Sequence, residues 1–437
     1  MCLMLLLTSL AANAQNEAWT LEDCVSYALS KNVDVRKSQN STKSSELNVE
    51  QFKANQLPSL TGSASTNYSW AKEALTESDN FGERERSNTT SFGLNSGVTV
   101  FNGFKLRNQI KQSKLELLSS EYYSETIQES LELNILDAYL QILYAQEELN
   151  NAQEQITSTK EELALAEERL NVGIISQSDY LQIKSELASE KLTLANAKST
   201  LSIAKLDLMQ LMDYPVNQNF EIELPDVASM LNEEKNPIAN DIYAEAIKFK
   251  PQIKNASLTL ESVKLDEEIA KAGLMPTLSF SAGLSSGWND NISGYTKSNQ
   301  LKNQFTPSVG LSLSVPIFQN KEARINIQQA QLSISDAELD QINTQNELRK
   351  NIEQACLDVM TAQSRYGASQ EQYDSSKESY EVATEKYKEG LLNSVDFLSV
   401  KTDMITSESA FTQARYNLVF SNKILDFYKG IPISLSK

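Results

Sequence analysis

Apolar residues recur at every seventh position in two long stretches of the chain. The first row begins at Ile135, and the second begins 217 residues later at Ile352 (352 − 135 = 217). A strict sevenfold repeat predicts long α-helices that pack side by side with a left-handed supercoil. The residues three positions further on are mostly Ala, Ser or Thr, which lets helix backbones approach closely. The rows are Ile135, Ile142, Leu149, Ile156, Leu163 and Leu170, and Ile352, Val359, Tyr366, Tyr373, Tyr380 and Tyr387.

Four other segments alternate in hydrophobicity with a period of two, which predicts β-strands. They cover residues 60–70, 92–100, 278–288 and 309–315, with one mostly apolar face and one face of mainly Ser, Gly, Asn or Thr. Lipid outside and water inside would impose this pattern on the wall of an outer-membrane barrel. The alternative is a soluble antiparallel sheet with one buried face.

Aromatic residues mark both ends of these predicted strands, and polar loops connect them. Because aromatic side chains favour membrane–water interfaces, the four are predicted to form a membrane girdle. They are Trp70 and Trp288 at the far ends and Phe101 and Phe318 at the near ends. The polar segments 72–88 and 289–303 are predicted to be exterior loops that are longer than a tight hairpin turn.

An internal duplication includes the strands as well as the helices. Pro58 corresponds to Pro276 before the first strand of each half, and an apolar row that starts at Tyr180 returns at Phe397. The repeat predicts one architecture built twice, with a short helix, two strands and a long helical hairpin in each half. The predicted parts are a signal peptide over residues 1–14, a first repeat over 15–212, a linker over 213–240, a second repeat over 241–430 and a C-terminal tail over 431–437.

The N-terminus has the features of a secretory signal peptide. An apolar run is followed by Ala12, Asn13 and Ala14, a small-x-small cleavage pattern. No later segment approaches the roughly eighteen consecutive apolar residues that a transmembrane helix requires. The mature protein is therefore expected to be exported and to contact a membrane through strands.

Composition excludes several functional classes. The chain has 39 Lys plus Arg against 58 Asp plus Glu, a net charge of −19, which argues against nucleic-acid binding. It has no His, so Ser-His-Asp and Cys-His enzymes are excluded and most zinc sites become improbable. We therefore predict a protein that is not an enzyme and holds no cofactor. Cys24 and Cys356 are either two small buried thiols or a disulfide formed in an oxidising compartment.

Four strands cannot close a transmembrane barrel, because the smallest such barrels have about eight and lipid does not tolerate open strand edges. Several copies must therefore share one barrel. Two copies would give about eight strands around a filled interior, and three would give about twelve around a pore. Small residues on the inner face favour the open version, and closed cyclic symmetry is the usual arrangement.

The chain resembles the TolC family of outer-membrane efflux and secretion channels over almost all of its mature length. The resemblance implies a homotrimer, with one twelve-stranded β-barrel in the outer membrane of a Gram-negative bacterium and a coiled-coil α-barrel in the periplasm. The fold class is thus mainly α with membrane β. The motifs that carry it are the turns Gly173 to Asp179 and Gly390 to Asp396, the strand starts Pro58 and Pro276, and the strand ends Phe101-Asn102-Gly103 and Pro316-Ile317-Phe318.

The resemblance implies a passive exit duct of a tripartite efflux or type I secretion system. Its partners would be a periplasmic membrane-fusion adaptor protein, an inner-membrane pump of the RND or ABC type that acts through the adaptor, and outer-membrane lipid. The alternative from another class is a periplasmic coiled-coil scaffold or adaptor without a channel. Such a scaffold would have no use for four lipid-type strands.

The resemblance also assigns roles at the tips of the helical hairpins. Gly173 and Gly390 would contact the adaptor, although a glycine also permits the positive φ that ends a helix. Asp179 matches an aspartate that bonds a tyrosine and an arginine at a periplasmic gate. Tyr387 matches the tyrosine, whereas Leu392 stands at the arginine position.

Asp396 would complete the predicted gate. It matches the first of two aspartates that line the narrowest point of the family's channels, and Ser399 replaces the second. Three Asp396 carboxylates in a ring would raise one another's pKa and attract cations. The alternative is that Asp179 and Asp396 only cap the returning helices.

Overall fold

The computed structural model describes residues 18–74, 81–216, 220–225, 237–292 and 294–435. The predicted signal peptide lies outside these residues, as do parts of the predicted linker and tail. The described residues form nine α-helices and four β-strands. The helices are α1 (Leu21–Lys31), α2 (Val33–Ala54), α3 (Lys105–Asn171), α4 (Gln177–Leu211), α5 (Ala239–Phe249), α6 (Pro251–Lys271), α7 (Lys297–Asn303), α8 (Glu322–Lys388) and α9 (Ser394–Tyr428). The strands are β1 (Ser59–Ala74), β2 (Phe81–Asn102), β3 (Thr277–Asn289) and β4 (Thr306–Ser314).

The helices confirm the duplication. α3 and α8 each contain 67 residues, and α4 and α9 each contain 35. The sevenfold rows lie in α3 and α8, and α3 contains neither Gly nor Pro to interrupt its backbone hydrogen bonds. The prediction of long helical hairpins with four strands is therefore confirmed. Among the helices of the described ranges, none is both long and apolar enough to cross a membrane.

The chain divides into two compact units. The helical unit takes its described residues from Met1–Gln39, Tyr123–Ile253 and Asn343–Lys437. The sheet unit takes its described residues from Asn40–Tyr122 and Lys254–Ile342.

Hydrophobic clusters hold the helical unit together. The largest surrounds the fully buried Ile135 of α3 and includes residues of α1, α4 and α9. A second surrounds Ile352 of α8 with residues of α5 and α9. Cys24 lies in the first cluster and Cys356 in the second, which agrees with two buried thiols rather than with a disulfide between them. Burial raises the pKa of the Cys24 thiol to about 12.

The sheet unit contains one antiparallel sheet in the order β1-β2-β3-β4. Residues opposite each other in neighbouring antiparallel strands share a face of the sheet. The register therefore places the predicted apolar positions together on one face and the small polar positions on the other. One apolar row is Leu94, Leu284 and Pro307, and one polar row is Asn95, Gly283 and Ser308.

The prediction of a first exterior loop over residues 72–88 was wrong in its extent. β1 continues to Ala74 and β2 already begins at Phe81. The pairing is unbroken from Trp70 opposite Arg86 to Lys72 opposite Arg84. Beyond Trp70 and Ala71 the paired residues Lys72, Arg84, Glu85 and Arg86 are all polar, so the backbone pairing extends the hairpin without hydrophobic alternation there.

The second predicted loop, residues 289–303, contains a helix. The hydroxyl of Thr296 caps α7 by accepting a hydrogen bond from the backbone N–H of Asn299. The buried Gln300 accepts a hydrogen bond of 2.8 Å from the N–H of Asn289 and donates one of 3.1 Å to its carbonyl. These bonds tie α7 to the end of β3.

Candidate functional site

The two long hairpins end in turns of the same construction. The N–H of Gly173 donates to the carbonyl of Leu170, and the N–H of Ile174 donates to that of Arg169. This pair of bonds is the Schellman motif, which requires a left-handed residue, and Gly173 has φ of 78°. Gly390, with φ of 75°, ends α8 in the same way. Among the described residues, no atom lies within 4 Å of a Cβ added at either glycine, so backbone conformation explains both.

The returning helices begin with side-chain caps. The N–H of Asp179 donates to Ser176 Oγ at 3.2 Å, and the N–H of Ser176 donates to Asp179 Oδ2 at 3.1 Å, which is a capping box for α4. At α9, Asn393 Oδ1 accepts from the N–H of Asp396 at 2.9 Å, and Asn393 Nδ2 donates to Asp396 Oδ2 at 2.8 Å. Both aspartates thus stabilise the first turn of a helix, and Asp396 is exposed to solvent.

Asp179 also joins the two repeats. Its Oδ1 accepts a hydrogen bond of 2.7 Å from the hydroxyl of Ser394, the first residue of α9. This bond, together with the bonds from Ser176, lowers the pKa of Asp179. The hydroxyl of Tyr387 is buried and has no hydrogen-bond partner within the described ranges. Asp179 therefore bonds the second repeat through Ser394 rather than through Tyr387.

Tyr387 is held at the tip by ring packing. Its ring stacks on Phe397 with centroids 4.5 Å apart and 11° between the planes. Burial is the main cause that raises the pKa of the Tyr387 hydroxyl. Tyr387 and Phe397 belong to a hydrophobic cluster at the tip, and Leu392, which stands where the resemblance expects arginine, packs against this cluster. The buried members of this tip cluster are Ala166, Ile183, Ala383, Tyr387, Phe397 and Leu398.

Arg169 supplies a cation at the tip from the first repeat. Its Nη1 donates to the carbonyl of Tyr387 at 2.8 Å, and its Nη2 donates to that of Lys388. The guanidinium carbon lies 5.4 Å from the centroid of the Tyr387 ring. These carbonyls are at the C-terminal end of α8, where the helix dipole attracts positive charge. Arg169 therefore holds the last turn of α8 against α3.

A buried ionic cluster joins α3, α4 and α9 further along the helices. Lys401 Nζ donates to Thr159 Oγ1 at 2.6 Å and lies 3.1 Å from both carboxylate oxygens of Glu162. Thr159 Oγ1 in turn donates to Glu190 Oε1 at 2.6 Å. The side chains of Lys401, Glu162 and Glu190 are 4%, 13% and 7% exposed. Two carboxylates thus surround one ammonium group away from water.

Glu190 has an incomplete set of hydrogen bonds in this cluster. Its Oε2 atom is buried and has no hydrogen-bond partner in the part of the chain that the structure describes. Burial raises the pKa of Glu190, and the charges of Glu186 and Glu162 act in the same direction. The Thr159 hydrogen bond and the Lys401 charge oppose this rise without reversing it. The surroundings of Glu190 therefore disfavour its charged form relative to a glutamate in water.

The predicted girdle residues lie in the sheet unit. Trp70 and Trp288 are on the apolar face, towards the end where β1 leads into β2. Phe101 pairs with Leu278 at the opposite end of the sheet. Phe318 follows β4 at that same end and is 82% exposed.

Sequence reasoning missed the residues that connect the two repeats. Arg169, Ser394 and the Lys401 cluster bring together positions that are more than two hundred residues apart, such as the 242 between Lys401 and Thr159. One signal was visible for Lys401. It follows Phe397 of the apolar row by four residues, so it is a charged residue at core spacing.

Comparisons with known proteins identify related sequences. The family model described as "Outer membrane efflux protein" matches residues 24–213 and 242–430, one match for each repeat. The outer membrane efflux protein BepC of Brucella suis is 20% identical over 408 residues, which cover 93% of this chain and 84% of BepC. The outer membrane protein TolC of Escherichia coli is 23% identical over 344 residues, which cover 77% of this chain and 68% of TolC.

Solved structures share the fold. The CusC structure matches with a TM-score of 0.81 and 17% identity, and the match covers 96% of each chain. The CmeC outer membrane channel of Campylobacter jejuni matches with a TM-score of 0.78 and 24% identity, over 95% of this chain and 87% of CmeC. At these identities the likeness shows the fold.

Proposed function

Because this chain belongs to the outer membrane efflux protein family, we propose that it is the outer-membrane exit duct of a tripartite efflux or type I secretion system. Family membership assigns the chain to transport in the outer membrane. In the proposed assembly, three copies form a passive channel from the periplasm to the exterior. An inner-membrane pump of the RND or ABC type supplies the energy through a periplasmic adaptor.

The observation that carries this proposal is a two-faced sheet with two unpaired edges. In the described structure, β1 pairs only with β2 and β4 pairs only with β3. The apolar face is exposed, with Leu60 and Val309 at 74% and 79%. Lipid can cover such a face, but open strand edges are not stable in lipid. Pairing β1 of one copy with β4 of the next removes every edge, and about twelve strands leave room for a pore.

The ends of the sheet support placement across a membrane. Trp70 and Trp288 are proposed to lie at one membrane surface, and Phe101 and Phe318 at the other. Aromatic rings favour this interface because one part of each ring is apolar and the other part tolerates water. The proposed lipid contact thus follows the same strands that close the barrel.

The proposed domain organisation follows the duplication. Residues 15–212 and 241–430 form the two repeats of the duct, and residues 213–240 link them. Residues 1–14 are a signal peptide removed on export, and residues 431–437 are a tail. The equal lengths of the paired helices α3 and α8 support this division.

The tips are proposed to contact the adaptor. Gly173 and Gly390 end the long helices there, and an exposed apolar residue follows each. Ile174 is 67% exposed and Leu391 is 78% exposed. Large apolar side chains that protrude beside a turn are typical of a protein contact surface.

The same tips are proposed to form the periplasmic gate. Asp179 closes it through Ser394, and Tyr387 contributes its ring, which stacks on Phe397 and lies beside the guanidinium group of Arg169 from the first repeat. Asp396 is proposed to contribute one carboxylate per copy to a ring at the narrowest point. With Leu392 and Ser399 at the other family positions, the Asp179–Ser394 bond supplies the polar closing contact.

Reconstitution tests the proposed function. Protein extracted from outer membranes in detergent should be a trimer by native mass spectrometry, and it should conduct ions in planar lipid bilayers. A monomeric protein without conductance would contradict the proposal and favour the alternative of a periplasmic scaffold. Omission of the strands provides the comparison, because a variant without residues 59–102 and 277–314 should lose both properties.

A further inference from the structure

The first repeat has a groove between the end of α3 and the start of α4, and the second repeat fills it. Leu398 of α9 belongs to the tip cluster with Ala166 and Ile183 of this groove. One turn later on α9, Lys401 bonds both carboxylate oxygens of Glu162 at 3.1 Å. The groove of the first repeat is therefore occupied from within the same chain.

The corresponding groove of the second repeat is open. It lies between α8 and α9 and has a volume of about 460 Å³. Ser379 and Val382 in this groove are exposed, whereas Glu162 and Leu165, which precede them by 217 residues, are half-buried. The difference in exposure arises because only the first groove is covered within the described structure. The lining includes Glu378, Ser379, Val382, Ala383, Leu392 and Val400.

The side chains that correspond to the filling residues are exposed on α4. By the 217-residue repeat, Leu181 corresponds to Leu398 and Lys184 corresponds to Lys401. Leu181 is 50% exposed, whereas Leu398 is 9% exposed. Lys184 is exposed, whereas Lys401 is buried. One chain therefore carries an uncovered groove and an uncovered pair of side chains of the type that fills such a groove.

We propose that Leu181 and Lys184 of a second copy of this chain occupy the groove between α8 and α9. This inference rests on the proposed function and names the surface through which the copies meet near the tips. The groove and the filling residues are different surfaces of one chain, so the contact is head-to-tail and repeats until a ring closes. The contact between copies then has the same construction as the contact between repeats.

The charges of the two contacts differ. Lys401 meets the buried carboxylates of Glu162 and Glu190, and the corresponding positions in the second groove are Ser379 and Ser407. Ser407 is fully buried and donates to the carbonyl of Met404, so Lys184 of a second copy meets the hydroxyl group of Ser379. The charged side chains in the groove lining are Glu378 and Lys386. The contact between copies therefore lacks the buried ion pair that the contact between repeats contains.

Cysteine cross-linking tests the assignment in full-length mature protein that carries Cys24→Ala and Cys356→Ala. Lys184→Cys combined with Ser379→Cys is treated with a short bismaleimide after extraction in detergent. Covalent dimers and trimers on a denaturing gel are expected, because the two positions meet only across copies.

Lys377 provides the matched control on α8. It precedes Ser379 by two residues, lies about 200° around the helix and is exposed. Lys184→Cys combined with Lys377→Cys should therefore give no covalent oligomer.

The outcomes separate this inference from the proposed function. Native trimers with normal conductance but without Lys184–Ser379 cross-links would overturn the groove assignment alone. The same would follow if cross-linking in whole cells joined Ser379→Cys to the adaptor in place of a second copy. A monomeric protein without conductance would overturn both conclusions.

Discussion

Asp179 and Ser394 come from different repeats, and a hydrogen bond of 2.7 Å from Ser394 Oγ to Asp179 Oδ1 joins them at the tips of the helical hairpins. The same carboxylate caps α4 through Ser176. One side chain thus fixes the start of a helix in the first repeat and holds the first turn of α9 in the second. The capping role and the proposed closing role can be separated, because Oδ2 of Asp179 bonds Ser176 and Oδ1 bonds Ser394.

Replacing Ser394 with Ala is expected to raise the resting conductance of the channel about fivefold. The change removes the bond between the repeats, and a partly exposed bond of about 1 kcal/mol corresponds to about that factor in the equilibrium between closed and open tips. Recordings from planar lipid bilayers measure this conductance.

Ser176→Ala is the matched control for this prediction. It removes the cap of α4 and leaves the donor in Ser394 intact. It is expected to destabilise the fold by about 1 kcal/mol, seen as a lower melting temperature, without a change in conductance. Equal conductance in the two variants would show that the Asp179–Ser394 bond does not close the tip.

The tip also shows what the sequence could and could not predict. The turns at Gly173 and Gly390 were predictable, because helix ends have local signals that two copies of the motif repeat. Ser394 was not, because its partner lies 215 residues away and the contact depends on how α4 and α9 pack. The role of Arg169 could not be predicted for the same reason, because it donates to backbone carbonyls, which have no sequence signature.

Replacing Lys401 with Met is expected to destabilise the helical unit by about 3–5 kcal/mol, because Glu162 and Glu190 then remain buried without a cation. Lys184 occupies the corresponding position of the first repeat and is exposed. Lys184→Met should therefore change the free energy of unfolding by less than about 0.5 kcal/mol in the monomer. Denaturant unfolding measures both. Adding Glu162→Gln and Glu190→Gln to Lys401→Met should recover much of the loss, and a loss that persists would argue for packing rather than charge.

The stability of the same cluster is expected to fall as the pH rises. Burial raises the pKa of Glu190, so the folded state keeps a proton that an unfolded glutamate releases near about pH 4.3. The stabilisation that this proton contributes is fully present below that pH, and it is lost as the pH rises through the pKa of Glu190 in the folded state. The charged groups that face Glu190 are Lys401 from α9, Glu162 from α3 and Glu186 from α4.

Glu190→Gln imitates the protonated form and removes this dependence. Its melting temperature relative to the wild type should therefore increase as the pH rises above about pH 4.3, the pKa of an unfolded glutamate. Glu161→Gln, an exposed change on α3, is the matched control, and the increase for Glu190→Gln should exceed the one for Glu161→Gln. Equal behaviour of the two variants would show that burial does not shift the pKa of Glu190.

The proposed ring of Asp396 predicts that millimolar divalent cations block the channel. Three carboxylates that lie close together attract such ions more strongly than one does. Asp396→Asn should abolish the block and keep the hydrogen bond from Asn393 to the side chain of residue 396. Asp374→Asn, an exposed change on α8, should retain the block. Equal block in the wild type and in Asp396→Asn would remove Asp396 from the pore.

A carboxylate introduced at Ser379 should strengthen the contact between copies. Ser379 corresponds to Glu162, so Ser379→Glu gives Lys184 of the second copy the partner that Lys401 already has. Opening of the tip is proposed to separate this contact between copies as well as the Asp179–Ser394 bond between the repeats. Ser379→Glu is therefore expected to lower the open probability in bilayer recordings about tenfold, which corresponds to about 1.4 kcal/mol for a partly buried ion pair. Adding Lys184→Gln should restore the wild-type value, because it removes the cation and keeps the helix. If Ser379→Glu lowers the open probability equally with and without Lys184, the new carboxylate acts on some other contact, and opening does not depend on Lys184 in this groove.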